Sequence, residues 1–227
     1  MKKFLSVSIL LLVLALIPAC AFAATTPDKI IADSIGVIKE MTAKKDAPDV
    51  AEMLKEAKAV AIVPALVKAG FMFGGEYGEG LVLRHENGKW YGPGFYNISG
   101  GSFGLQIGAQ SIALVLVITN EDGVKAFLKS KSKLGGDVAV AAGPVGRRME
   151  GATDGKGRAD IYSYSISRGL FAGMSLEGSI VAISVKRNEQ YWNKSIKAVD
   201  ALKIQATDKR MKELTQSLDN LIKKAKN

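Results

Sequence analysis

Glycine placement constrains this chain more than any other feature. Of its 24 glycines, 23 fall between Gly70 and Gly178, and only Gly36 lies outside. They follow no period of three, which excludes a collagen-like chain. Glycines at alternate positions of apolar runs mark bulges, tight bends or close backbone approach. The middle of the chain therefore reads as a strongly bent β-structure between two helical ends. At 227 residues and 48% hydrophobic content the chain can bury a real core, and it lacks the composition of a disordered one.

The helical ends show in the periodicity. Ile31, Ile35, Ile38 and Met41 share one face of a helix expected over 28–41. Val50, Met53, Leu54 and Ala57 do the same over 49–58, and Met211, Leu214, Leu218, Leu221 and Ile222 over 208–224. A further helix is expected over 188–202, and Asn120 caps one reaching about residue 131. Strands are expected over 59–63, where Pro64 ends the run, and over 80–84 and 89–91 around the Asn87-Gly88 hairpin signal. Residues 102–110, 112–119, 138–142, 161–166 and 170–183 complete the expected strands. The fold class is α+β: a glycine-rich, strongly curved, barrel-like antiparallel sheet flanked by N-terminal and C-terminal amphipathic helices.

Lys2 and Lys3 followed by an apolar run to Ile17, Pro18 and the small residues Ala21 and Ala23 form a secretory signal pattern. Cleavage is expected after Ala23, which removes 23 of the 227 residues and leaves 204. The protein is then exported, to the periplasm or cell envelope. Lipidation at Cys20 is the alternative. Without Cys20 the mature chain has no cysteine, so disulfides and thiolate metal sites are excluded. The expected organisation is signal peptide 1–23, a main domain 24–193 and a basic helical extension 194–227.

The net charge is +9, or +7 without Lys2 and Lys3. Residues 186–227 hold 11 basic and 5 acidic side chains. An exported basic protein meets anionic lipid or acidic polymer rather than nucleic acid. Solvation of a helix surface is the plainer reading of the same charge.

No catalytic pattern survives inspection. Residues 100–104 match G-x-S-x-G around Ser102, but the sequence that follows is strand-like and His85, the only histidine, comes before the serine. Residues 74–80 have no P-loop lysine and carry Glu76 and Glu79, so a glycine-rich hairpin is expected there. Residues 154–160 resemble a calcium loop with Lys156 and Arg158 in place of oxygen ligands. His85 beside Glu86 offers too few ligands for a metal. No enzyme activity, metal or cofactor is expected.

Five ordered blocks carry a family resemblance. They are residues 68–80 (KAGFMFGGEYGEG), 87–93 (NGKWYGP), 101–110 (GSFGLQIGAQ), 142–147 (AGPVGR) and 162–178 (YSYSISRGLFAGMSLEG). In order and spacing they resemble the SYLF domain over about residues 30–193. The resemblance implies non-catalytic phospholipid binding, with actin binding in some eukaryotic members, which is not expected of an exported protein. It also maps a membrane-inserting amphipathic helix loosely onto 28–41, and it leaves the basic helix 208–224 outside.

Lipid recognition needs cations for phosphate and apolar groups at the interface, and arginine's planar fork suits phosphate. The candidate lipid-binding residues are Lys68, Phe71, Phe73, Trp90, Arg147, Arg148, Arg168 and Phe171. Two alternatives stand beside anionic-lipid binding. One is an envelope interaction or assembly protein acting through the C-terminal basic helix, with its protein partner undefined. The other is a carrier of an apolar ligand.

Overall fold

The structure is a computed structural model that describes residues 25–143, 159–167, 170–173 and 176–225, with side chains described outside 71–73, 102–108 and 170–173. The signal segment 1–23 with Cys20, and Arg147, Arg148 and Arg168, lie outside the described residues, as does most of 154–160.

The described helices are α1 (Pro27–Thr42), α2 (Ala47–Lys55), α3 (Glu121–Leu128), α4 (Val185–Trp192), α5 (Ala198–Ala201) and α6 (Lys209–Ile222). The strands are β1 (Ala59–Glu86), β2 (Lys89–Ile118), β3 (Lys131–Lys133), β4 (Val140–Ala142), β5 (Ile161–Ser167), β6 (Leu170–Gly173) and β7 (Ile180–Ile183). Caps set several boundaries. Thr26 accepts from the Lys29 N–H with Pro27 opening α1, Asn120 accepts from Gly123, and Asp208 accepts from Arg210 and Met211.

Two long strands organise the sheet. β1 has 28 residues and β2 has 30, joined at Asn87 and Gly88, both with positive φ as a tight hairpin turn requires. Straight, each would span roughly 90 Å, about twice the ~40 Å width of a compact domain this size. They curl instead. The His85 N–H donates to the Lys58 carbonyl at 2.8 Å, so the far end of β1 returns to its own start. Gly80 allows this fold-over: a Cβ there would stand 2.3 Å from the Ile62 carbonyl oxygen. The result is a strongly curled half-barrel, and the expected α+β class and curvature are both present.

β2 is the hub of the sheet. It pairs antiparallel with β1 along nearly its whole length, with β7 through residues 96–99, and with β5 through 113–118. β3 extends β7, and β6 extends β5. β4 joins β5 in parallel, the one departure among the described strands from an antiparallel sheet.

Strand parity divides the core in two. Val60, Ile62, Leu81, Leu83, Phe95, Val115 and Val117 pack with the helix layer of α1, α2 and α6. Ala61, Val63, Tyr96, Ile98, Leu114 and Leu116 pack on the opposite face with Val124 and Phe127 of α3. Burial on both faces explains why these strands read as continuous apolar runs instead of alternating ones.

Six expectations need correction. Pro64 does not end the first strand, because a register shift between Val63 and Leu66 absorbs it and β1 continues. Residues 74–80 are part of β1 rather than a hairpin. Residues 170–183 form two strands with different partners, and 188–202 gives two short helices. The C-terminal helix is not an extension: Met211, Leu214, Leu218 and Leu221 are fully buried in the core shared with α1 and α2. The same packing buries Ile30, Ile31, Ile35, Ile38 and Met41, so the apolar face of α1 is not free to insert in a membrane.

Candidate functional site

Between residues 66 and 76, β1 pairs with β2 residues 100–112, and among the described strands this stretch of β2 has no other neighbour. It is a two-stranded ribbon. Phe73 stands opposite Phe103, Met72 opposite Gly104, and Lys68 opposite Gln110. On β2, positions 103, 105, 107 and 109 share one parity and read Phe, Leu, Ile and Ala; the other parity reads Gly104, Gln106, Gly108 and Gln110. The ribbon is thus amphipathic by position. Three of the expected lipid-binding residues, Lys68, Phe71 and Phe73, lie on it.

Phe171 is placed near the root of the ribbon. It pairs with Ile166, which pairs with Ala113, three residues along β2 from the partner of Lys68. Arg168 falls in the chain between β5 and β6, outside the described residues. Backbone register therefore gathers Lys68, Phe71, Phe73 and Phe171 at one end of the sheet.

Trp90 does not join them. It is 4% exposed, stacks on His85 with centroids 4.3 Å apart, and donates from Nε1 to Asp219 of α6 at 2.8 Å. Its parity at the hairpin turns the ring into the helix-side core, so it is a structural anchor for α6 rather than an interfacial aromatic. Lys68 keeps 24% of its side chain exposed, but its Nζ lies 2.8 Å from Glu76 Oε2. Its charge is compensated, which weakens it as a phosphate ligand.

The glutamates of the glycine-rich run have structural partners that spacing alone could not reveal. Glu76, buried in the sheet, pairs with Lys68 and accepts from Ser179 Oγ at 2.5 Å. Gly100 opposite leaves room for it, since a Cβ would stand 2.8 Å from Glu76 Oε1. Glu79 pairs with Arg187 at 2.7 Å, both largely buried, and accepts from Tyr77 Oη at 3.2 Å. Burial, then the neighbouring Glu79 charge, raises the Tyr77 hydroxyl above its usual value. Two compensated ion pairs at opposite-facing positions of β1 explain why acidic residues sit in an otherwise apolar strand.

The catalytic outlines dissolve in the same geometry. Ser102 is mid-strand, opposite Gly74, so the G-x-S-x-G outline has no strand-to-helix elbow. His85 is occupied by Trp90 stacking. Asp160 accepts from Asn120 at 2.6 Å and from the Ala139 N–H at 2.8 Å, tying β5 to the start of α3. Among the described residues no group of three or more His, Cys, Asp or Glu is placed to hold a metal.

Comparison with known proteins identifies relatives of the chain. The model of the Ysc84 family, described as "Las17-binding protein actin regulator", matches residues 99–221. SH3 domain-containing YSC84-like protein 1 of Homo sapiens is 36% identical over 173 residues, covering 73% of this chain and 50% of its own length. The Xenopus laevis protein of that name is 35% identical over 174 residues, covering 73% and 52%. LAS seventeen-binding protein 3 of Saccharomyces cerevisiae is 37% identical over 145 residues, covering 62% and 31%. The chain thus spans about half the length of these animal relatives. The match to residue 221 takes in α6, which corrects the expectation that the basic helix lies outside the resemblance.

Proposed function

The chain belongs to the Ysc84 (SYLF) family, and from that membership we propose that it is a non-catalytic protein that binds anionic phospholipid head groups at a membrane surface. The observation that carries the reading is the amphipathic ribbon of β1 and β2, with Lys68, Phe71 and Phe73 on it and Phe171 near its root. An apolar-parity ribbon that no described strand covers suits the boundary between head groups and acyl chains. Arg147, Arg148 and Arg168 supply the phosphate-binding cations in this reading, and Trp90 is withdrawn from it.

We further propose that the protein acts as an exported, periplasmic or envelope-associated protein, on the strength of the signal pattern in residues 1–23. The family description and the yeast relative's name refer to Las17 binding. We carry no actin-linked role to this chain, because the compartment proposed for it contains no actin. An interaction role for the C-terminal helix is weakened, since its apolar face is already buried against α1 and α2.

The test is co-sedimentation with liposomes across head-group composition and salt. Binding should require anionic lipid and weaken as salt rises, because screening shortens electrostatic reach to about 8 Å at physiological ionic strength. Charge reversal at Arg147, Arg148 and Arg168 together should abolish it. Unchanged sedimentation of that folded variant would sink the assignment.

A further inference from the structure

A cavity of about 440 Å³ lies where the start of α1 crosses the folded-over part of β1. Its size falls within the range of small-molecule sites. Its walls are formed by Ile30 of α1, by Pro64, Ala65 and Val67 at the β1 bulge, and by Tyr77 and Gly78 on the returning stretch of the same strand. The local backbone explains the hollow. The register shift between Val63 and Leu66 opens the strand there. Gly78 lets the returning stretch of β1 pack closely on the bulge, since a Cβ on it would stand 2.6 Å from Val63 Cγ1 and 3.0 Å from the Ala65 carbonyl.

The charges lining the cavity cancel, two positive against two negative, while Arg187 Nε is a buried donor without a hydrogen-bond partner among the described residues. Lys29 lies 2.8 Å from Asp33, and Arg187 lies 2.7 Å from Glu79. The cavity therefore has apolar walls from Ile30, Pro64, Ala65 and Val67, an exposed ion pair at Lys29 and Asp33, a buried one at Arg187 and Glu79, and no net charge. Tyr77 stands at the rim with 42% of its surface exposed, one of few large apolar side chains so placed among the described residues. Its hydroxyl is held by Glu79 at 3.2 Å, which keeps the ring beside the opening. An exposed aromatic leading into a neutral, apolar-walled cavity calls for an apolar occupant with its polar end outside.

We propose that this cavity binds a single aliphatic chain, with the head group at the mouth beside Tyr77 and Lys29. At roughly 30 Å³ per methylene, comparable to the share of a liquid water molecule, the cavity holds about 15 carbons. The chain can come from a free fatty acid or from a phospholipid, and the two sources share this chemistry. The site meets the ribbon at Val67 and does not depend on head-group recognition along it.

Native mass spectrometry and fluorescence titration of the full chain test the proposal, using palmitate, 16:0 lysophosphatidylcholine and hexadecanol as probes. One-to-one complexes are expected. Affinity should rise about fourfold per added methylene and level off near 14–16 carbons as the cavity fills. Ala65→Trp, at an exposed wall position, should lower affinity at least tenfold, and Tyr77→Ala several-fold. Val199→Trp, on exposed α5 surface away from the cavity, should change nothing. Equal binding of palmitate and the lysophospholipid identifies the chain alone as the ligand; binding of the lysophospholipid only identifies a membrane lipid, and either supports the site. Absence of any one-to-one complex, or unchanged affinity in both Ala65→Trp and Tyr77→Ala with wild-type melting curves, overturns it. Anionic liposome sedimentation should persist in Ala65→Trp, so failure here and failure of the surface reading are separable.

Discussion

Truncation of Leu214 measures whether α6 belongs to the fold or merely follows it. Leu214 is fully buried in the cluster that joins α6 to Ile31, Ile38 and Met41 of α1 and to Val50 and Leu54 of α2. Leu214→Ala removes buried apolar volume and leaves a cavity that two packed helices close only in part, a loss of about 3–4 kcal/mol. Against a total stability on the order of 5–15 kcal/mol, that is a large fraction. It corresponds to a drop in Tm of about 10 °C for a domain this size. Lys212→Ala, two positions away on the exposed side of the same helix, is the control and should move stability by less than about 0.5 kcal/mol. The assay is urea unfolding followed by circular dichroism. The midpoint should fall with an unchanged slope, since one cooperative unit is being destabilised. A loss below about 1 kcal/mol, or a separate early transition for the helix, would show that α6 is an appendage rather than part of the core.

Two glycines should respond in opposite directions. Gly80→Ala forces a Cβ to within 2.3 Å of the Ile62 carbonyl and should cost about 3 kcal/mol or more. Gly36→Ala, in the middle of α1 with nothing within 4 Å, should add about 0.5–1 kcal/mol, both read by thermal melting. Trp90→Phe removes the donor to Asp219 and should cost about 2–3 kcal/mol, while sedimentation with anionic liposomes stays at wild type. Burial first, then its hydrogen bond to Asp208, raises the Tyr191 hydroxyl above the ordinary value of 10.0. Its contribution is therefore complete below pH 10 and lost as pH rises beyond it, and Tyr191→Phe should make the alkaline limb of a stability–pH curve shallower. Burial opposes ionisation of Asp208, yet hydrogen bonds from Tyr191, Met211 and Arg210 and the Arg210 charge hold its carboxyl below 3.8. Its contribution is present above that value and lost as pH falls further, so Asp208→Asn should flatten the acid limb.

Much of the candidate site was readable only as composition. Residues 68–80 announced a glycine-rich aromatic run, yet the sequence could not say that Glu76 faces Lys68 and Ser179 while Glu79 faces Arg187. Those partners lie up to 108 residues away in the chain, and no local pattern encodes them. Trp90 illustrates the same limit. Its neighbours Gly88 and Tyr91 mark a surface hairpin, and only the docking of α6 over that hairpin buries the ring. The cavity beside α1 had no sequence signature, because it arises from a bulge, a glycine and a crossing helix meeting in space.

The features legible without the fold are local ones. The 3.6-residue apolar periods of α1, α2 and α6, the Asn87-Gly88 turn, the caps at Asn120 and Asp208, and the need for close backbone approach at the clustered glycines all act within a few residues. Tertiary structure decided the rest. It carried β1 through Pro64, divided residues 170–183 between β5 and β2 as partners, and drew α6 into the core. It also left residues 66–76 and 100–112 as a ribbon. Strand length, pairing and burial depend on which distant segments compete for the same apolar surface and backbone hydrogen bonds, and that competition is resolved only when the whole chain packs.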